Sequence, residues 1–153
     1  SYAGAMGKSQ FISSSYRAYA VDGDGDSKRD LWNSQADIIH SVANYFSKHG
    51  WSDSSLVTQQ TTVNGTAYKK LLNRKLKPKN TLKQLAKSGV KTPKDIAENT
   101  IVRLLELKQK DHAEYWLTFH NFYVITRYNH SHLYAMAVYQ LGQEIKSGLT
   151  KSQ

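Results

Sequence analysis

Apolar residues recur along this chain at two different spacings, and the change from one to the other divides it. Residues 10–20 read as a short helix, ended by a Gly/Asp-rich stretch over 22–30 that neither helix nor strand tolerates. The clearest helix follows. Ser34 stands three residues before Asp37, a variant of the capping box, with the acid in the first turn where the helix dipole favours it. Ile38, Val42, Tyr45, Phe46 and His49 then recur at helical spacing and predict the buried stripe, and Gly50 supplies the stop.

From residue 56 the texture changes. Residues 57–63 are rich in Thr, Val and Gln and end at Asn64-Gly65, which predicts a strand followed by a turn. A short helix is expected over 66–74, and another over 81–89, opened by the Thr81 and Gln84 pair of a capping box. Residues 101–107 and part of 115–119 predict strands. Helical spacing returns over 121–128 and 131–147, where Leu133, Ala137, Leu141 and Ile145 form a four-residue stripe ahead of Gly148. The expected class is α+β, mainly α. Residues 1–55 and 119–153 form the helical core, and 56–118 form a small α/β insertion.

Composition adjusts this picture only in places. Hydrophobic residues at 39% and charged residues at 22% suit a packed core and exclude wholesale disorder. Ten Tyr, four Phe and three Trp fit either a core or a carbohydrate cleft, where an aromatic face stacks on a sugar ring. The absence of cysteine excludes disulfide scaffolds, thiolate metal sites and cysteine nucleophiles. No apolar run approaches the roughly 18–20 residues of a membrane span. The opening residues lack both the basic and the apolar segment of a signal peptide, and no initiator Met precedes them, so the chain is expected to begin partway through a longer protein.

The net charge of +9 is concentrated. Ten basic residues and no acidic one lie between Lys69 and Lys94, all within the insertion, and the rest of the chain is nearly neutral. Such a segment is either a solvated basic face or a surface for a polyanion such as an acidic cell-wall polymer. Tyr68, just ahead of it, is the only aromatic nearby, so the interleaved stacking residues of single-strand nucleic-acid binders are missing and no nucleic-acid partner is expected.

Asp22, Asp24 and Asp26 alternate with Gly23 and Gly25, and Asp30 lies beyond. Carboxylates this close repel one another unless a hard cation neutralises them, and oxygen ligands at alternating loop positions are how calcium loops work. The loop departs from the standard helix–loop–helix site: position six is Ser27 rather than Gly, and position twelve is Asn33 rather than Glu. Asp37 can close the shell from the first turn of the next helix. The alternative is an exposed acidic turn; a calcium here is structural. The six histidines show no zinc spacing, and no nucleophile elbow, phosphate loop or dinucleotide fingerprint occurs. By themselves Tyr128-Asn129, Tyr134, Ser1 and Gln10 are only polar residues near helix ends.

Three stretches resemble the membrane-bound lytic murein transglycosylase B family. They are Ser1-Tyr2-Ala3-Gly4-Ala5-Met6-Gly7-Lys8-Ser9-Gln10-Phe11; then Leu31-Trp32, Ser41-Val42-Ala43-Asn44-Tyr45-Phe46 and His49-Gly50-Trp51; and then Asn121-Phe122-Tyr123-Val124-Ile125-Thr126-Arg127-Tyr128-Asn129-His130-Ser131, leading into Tyr134-Ala135-Met136-Ala137-Val138. With the Asp loop they run through nearly the whole chain in the family's order.

The resemblance implies a lysozyme-like helical core, partial here, with a calcium loop and an inserted α/β region. It implies a periplasmic protein acting on peptidoglycan glycan strands, with an outer-membrane anchor carried by an N-terminal lipoprotein segment outside these residues. The implied reaction breaks the β-1,4 bond between N-acetylmuramic acid and N-acetylglucosamine and leaves a 1,6-anhydro product. One Glu protonates the leaving oxygen and then accepts the proton of the sugar's 6-hydroxyl, a dual role favoured when burial raises its pKa. Because the nucleophile is internal, the second carboxylate of ordinary glycosidases is not needed. Position by position, Ser1 and Gln10 correspond to polar residues beside that Glu, Tyr45, Tyr128 and Tyr134 to cleft-lining groups, and Asn129 to a substrate-positioning amide. Asp22, Asp24, Asp26 and Asp37 correspond to calcium ligands, with the Lys28 carbonyl.

In the family the catalytic Glu lies upstream of the Ser-x-Ala-Gly-Ala-Met-Gly motif that opens this chain, and Glu98, Glu106, Glu114 and Glu144 do not fit its role. The chain is therefore expected to lack its general acid and to be inactive alone. Its exposed apolar faces would be covered by the missing N-terminal half or by a second copy. Two other classes stay open: a non-catalytic peptidoglycan-binding module and a structural calcium-binding module.

Overall fold

Two helices organise the first unit, Ser1–Trp51, of a computed structural model that describes residues 4–72 and 75–151. Helix α1 spans Ser13–Tyr19 and α2 spans Gln35–Lys48. Helix α1 begins three residues later than the sequence predicts. Gln10 is held at φ 52°, and Met6 and Phe11 exchange backbone hydrogen bonds of 2.9 and 3.1 Å, so the glycine-rich opening closes as a tight loop instead. Gly7 has to be glycine: a Cβ there would lie 2.5 Å from the carbonyl oxygen of Leu31.

Helix α2 is capped as predicted, the Asp37 N–H donating to Ser34 Oγ at 3.2 Å. Its buried line is different. Asp37, Ser41 and Tyr45 are buried, while Ile38, Val42 and Phe46 are half-buried. The helix faces backbone as well as apolar side chains, and that backbone needs partners. Ser41 Oγ accepts the Val21 N–H at 3.0 Å, and Asn44 Nδ2 donates to the Tyr19 carbonyl at 2.9 Å. The stripe is thereby turned one position round the helix. Gly50, at φ 88°, ends it as expected.

The second unit, Ser52–Gln153, is built on an antiparallel sheet in the order β1-β4-β3-β2. The strands are β1 (Thr58–Thr61), β2 (Asn80–Thr81), β3 (Ile101–Lys108) and β4 (Ala113–Thr118). The helix expected over 66–74 is a 3-10 turn, Ala67–Leu71. Helix α3, Leu82–Lys87, opens with both bonds of the predicted capping box. Gly89 (φ 85°) then lets the chain pass so close to Asn64 that a Cβ would lie 2.2 Å from its carbonyl oxygen. Leu82, Leu85, Val90, Leu104, Leu117 and Phe119 form the core on one side. Val102, Arg103, Leu104, Leu105 and Leu107 of β3 are all buried, the mark of a strand covered on both faces.

Helices α4 (His120–Tyr128) and α5 (His132–Lys151) follow. Asn121 is fully buried and fastens α4 to the preceding loop: its amide accepts the Ser52 N–H at 3.0 Å and donates to the carbonyls of Ser52 (2.7 Å) and Ser55 (2.9 Å). On α5 the buried residues are Ala135 and Met136, not the predicted stripe. Leu133, Leu141, Ile145 and Leu149 are exposed. A strict four-residue spacing advances about 40° further round a helix at each step, so such a stripe winds away from any single face. Gly148 keeps helical backbone, and α5 runs on to Lys151.

Candidate functional site

The Asp loop is held by its own carboxylates. Asp22 accepts the N–H groups of Gly25 (2.6 Å) and Ser27 (2.8 Å), and Asp24 accepts the Ser34 hydroxyl (2.6 Å). Asp26 accepts the Lys28 N–H at 2.8 Å. Asp37, fully buried, reaches back from α2 and takes the N–H groups of Gly23 and Asp30, each at 2.6 Å. These bonds to the charged form, Gly23's first, hold its carboxyl below the ordinary aspartate range against the opposing effect of burial. Tyr16 ties α1 to the same loop, its hydroxyl donating to the Arg29 carbonyl at 2.9 Å.

Oxygens of Asp22, Asp24 and Asp37 lie within 4.8 Å of one another. Asp26 stands outside that trio among the described residues. The donor set is hard, anionic and all oxygen, with one buried member, which suits calcium and not a soft metal. Gly23 lets the loop lie on α2: a Cβ there would meet His40 Nδ1 at 2.3 Å and the Ala36 carbonyl at 2.6 Å. Ser34 and Asp30 were not singled out by sequence as loop-shaping groups. A cap residue followed by an acid was visible; that its hydroxyl would also serve Asp24 was not.

The residues expected to meet substrate fall into both units. Ser1 lies outside the described residues. Gln10 is exposed, its Nε2 donating to the Gly7 carbonyl at 2.9 Å. Tyr45 is 8% exposed and sits at the centre of an aromatic cluster, with Tyr19 4.9 Å away and His49 stacked at 4.0 Å. In the second unit Tyr128 ends α4, Asn129 caps it with an extended backbone, and Tyr134 lies in the first turn of α5. The Ser131 N–H donates to the Asn129 carbonyl (2.6 Å), and Ser131 Oγ accepts the Tyr134 N–H (3.2 Å). This turn brings Tyr128, the exposed amide of Asn129 and the part-exposed ring of Tyr134 to one helix junction.

Every Glu lies in the second unit. Glu98 pairs at the surface with Lys83 (3.3 Å), and Glu144 is exposed on α5. Glu106 accepts the Tyr115 hydroxyl at 2.9 Å. That hydroxyl also lies 3.0 Å from Tyr68 Oη, and these bonds, the Tyr68 one first, together with burial push its pKa up. Glu114 accepts the Trp116 Nε1–H at 3.1 Å and stands 3.8 Å from His112.

The transglycosylase SLT domain family matches residues 1–143. The membrane-bound lytic murein transglycosylase B of Escherichia coli (strain K12) is 45% identical over 145 residues, which are 95% of this chain and 39% of that protein. The structure of the Escherichia coli lytic transglycosylase Slt35 in complex with calcium is 42% identical with a TM-score of 0.85, covering 100% of this chain and 47% of that one. The Pseudomonas aeruginosa SltB3, in complex with NAG-anhNAM-pentapeptide, is 34% identical with a TM-score of 0.77, covering 90% of this chain and 37% of that one. The chain thus spans less than half the length of each of these relatives.

Proposed function

Because the chain belongs to the transglycosylase SLT domain family, we propose that it forms the glycan-binding part of a periplasmic peptidoglycan lytic transglycosylase. The reaction is cleavage of the bond between N-acetylmuramic acid and N-acetylglucosamine with a 1,6-anhydro product. The observation that carries this reading is the family match over residues 1–143, which takes in every candidate site residue from Ser1 to Tyr134. The anhydro-muramyl ligand of the Pseudomonas relative and the calcium of the Escherichia relative support the same substrate and the same ion.

On this reading Tyr128, Asn129 and Tyr134 of the second unit bind glycan, and Gln10 and Tyr45 of the first unit, with Ser1 by sequence, are its further candidate glycan-contacting residues. Residues 1–55 and 119–153 are the lysozyme-like core and 56–118 its insertion. Asp22, Asp24 and Asp37, with Asp26 and the Lys28 carbonyl, hold calcium, which neutralises the clustered carboxylates and fixes the loop against α2. The general acid comes from outside these 153 residues. Of the four Glu residues, Glu98 is in a surface ion pair, Glu106 and Glu114 accept side-chain hydrogen bonds within the insertion, and Glu144 is exposed on α5. The exposed leucines of α5 are a face that the Glu-bearing segment, or failing that a second copy, covers.

The test is glycan binding. Asn129→Ala should weaken binding of a soluble muramyl oligosaccharide about tenfold, the loss of one to two well-placed hydrogen bonds, with the melting temperature nearly unchanged. Unchanged affinity, or a loss that only follows unfolding, contradicts the glycan site.

A further inference from the structure

We propose a second binding site, on the open edge of β1, for the carboxylate-bearing peptide stems of peptidoglycan; this rests on the substrate reading above and extends it. The site is a crevice of about 460 Å³ between β1 and the segment after α3, lined by Gln59, Gln60, Thr62, Lys91, Thr92 and Pro93. That volume lies within the range of small-ligand sites.

Among the described residues β1 is an edge strand of the sheet, with β4 as its one neighbouring strand. Its other side is closed at one end. The Asn64 N–H donates to the Gly89 carbonyl (2.7 Å), and the Lys91 N–H donates to the Thr62 carbonyl (2.9 Å). Thr61 Oγ1 donates to the Lys91 carbonyl and clamps that residue a second time. The partner chain then turns away at Thr92-Pro93, and Pro93 has no N–H to continue the ladder. By the alternation of a strand, the backbone N–H and C=O of Gln60 point the same way as those of Thr62 and Asn64. They are the next rung, and they open on the crevice.

The side chains around this rung supply the chemistry. Gln59 and Gln60 are exposed, and among the described residues their amides make no side-chain hydrogen bond. Lys91 is exposed, and no carboxylate of the described residues lies within 4.0 Å of its ammonium. Two amides, an open backbone rung and an unneutralised cation on a doubly clamped residue fit an extended acidic peptide, in the manner of strand addition. Lys91 and Lys94 end the basic run that begins at Lys69, whose charge draws an anionic ligand toward this edge. A neutral sugar would leave that charge unused. The stem peptide of peptidoglycan carries both free carboxylates and amides.

The test titrates the intact chain with the synthetic stem peptide L-alanyl-γ-D-glutamyl-diaminopimelic acid, followed by amide chemical shifts. The expected result is saturable shifts at Gln59, Gln60 and Lys91, an affinity about tenfold weaker in Lys91→Gln, and no binding of the carboxamide-capped peptide. Lys91→Arg should keep the affinity within about threefold. Saturable shifts elsewhere only, equal binding by Lys91→Gln, or equal binding of the capped peptide overturns the proposal. Glycan binding at Asn129 is read separately with a peptide-free muramyl oligosaccharide. Loss of that binding with the peptide shifts intact strikes the substrate reading and not this site.

Discussion

Ser27 holds φ at 70° at the loop position where calcium loops carry glycine. A left-handed backbone costs a residue with a Cβ about 1–2 kcal/mol, and glycine escapes that cost while giving up some entropy. Ser27→Gly should therefore raise stability by about 1 kcal/mol in denaturant unfolding; a fall would mean that the hydroxyl is needed in the loop. Asp37 carries the opposite lesson. Its place three residues after Ser34 marks a helix start in sequence, and that part was legible. Its two bonds to the loop at Gly23 and Asp30 depend on how the chain returns past α2, which no local pattern encodes. The same holds for Asn121, whose sequence neighbours give no sign of the clamp it makes on Ser52 and Ser55.

The elements themselves were largely readable, and the faces they present were not. Capping chemistry located α2 and α3 because it acts within one turn: Ser34 with Asp37, and Thr81 with Gln84. Burial is decided by distant partners, so α2 turned its polar line inward and α5 left Leu141 and Ile145 in solvent. The Asp loop and α2 together form the element on which the proposed calcium would act. Calcium at 100 times its dissociation constant should stabilise the chain by about 2.7 kcal/mol and raise the melting temperature. No rise, or an equal rise with magnesium, contradicts the site. At the start of α5, burial and then the charge of Arg103 push the His132 pKa below the ordinary histidine value. The neutral form is the one the fold accepts, so stability is full above about pH 7 and falls as pH drops through the ordinary histidine pKa of about 6.5 toward the lower folded value. Melting temperatures between pH 7.5 and 5 should show this fall in the native chain and a smaller one in His132→Gln.

At the scale of the molecule the motifs carried more than the composition did. The net charge of +9 only restricts the partners, and the run that produces it resolves into an insertion whose described lysines are exposed. The family resemblance rested on short strings such as Gly4-Ala5-Met6-Gly7 and Tyr128-Asn129, and the match over residues 1–143 bears it out. Their packing explains part of their form: Gly7 lies against Leu31, and Asn129 caps α4. On the proposed function these residues bind glycan strands, and the proton donor is supplied from elsewhere. Mass spectrometry of the soluble products from purified peptidoglycan tests this, using the chain alone and the chain joined to the upstream Glu-bearing segment that the proposal requires. The expected result is 1,6-anhydro-muropeptides only from the joined protein. Such products from the chain alone would contradict the claim about the acid, and none from either would contradict the peptidoglycan-cleaving reading itself.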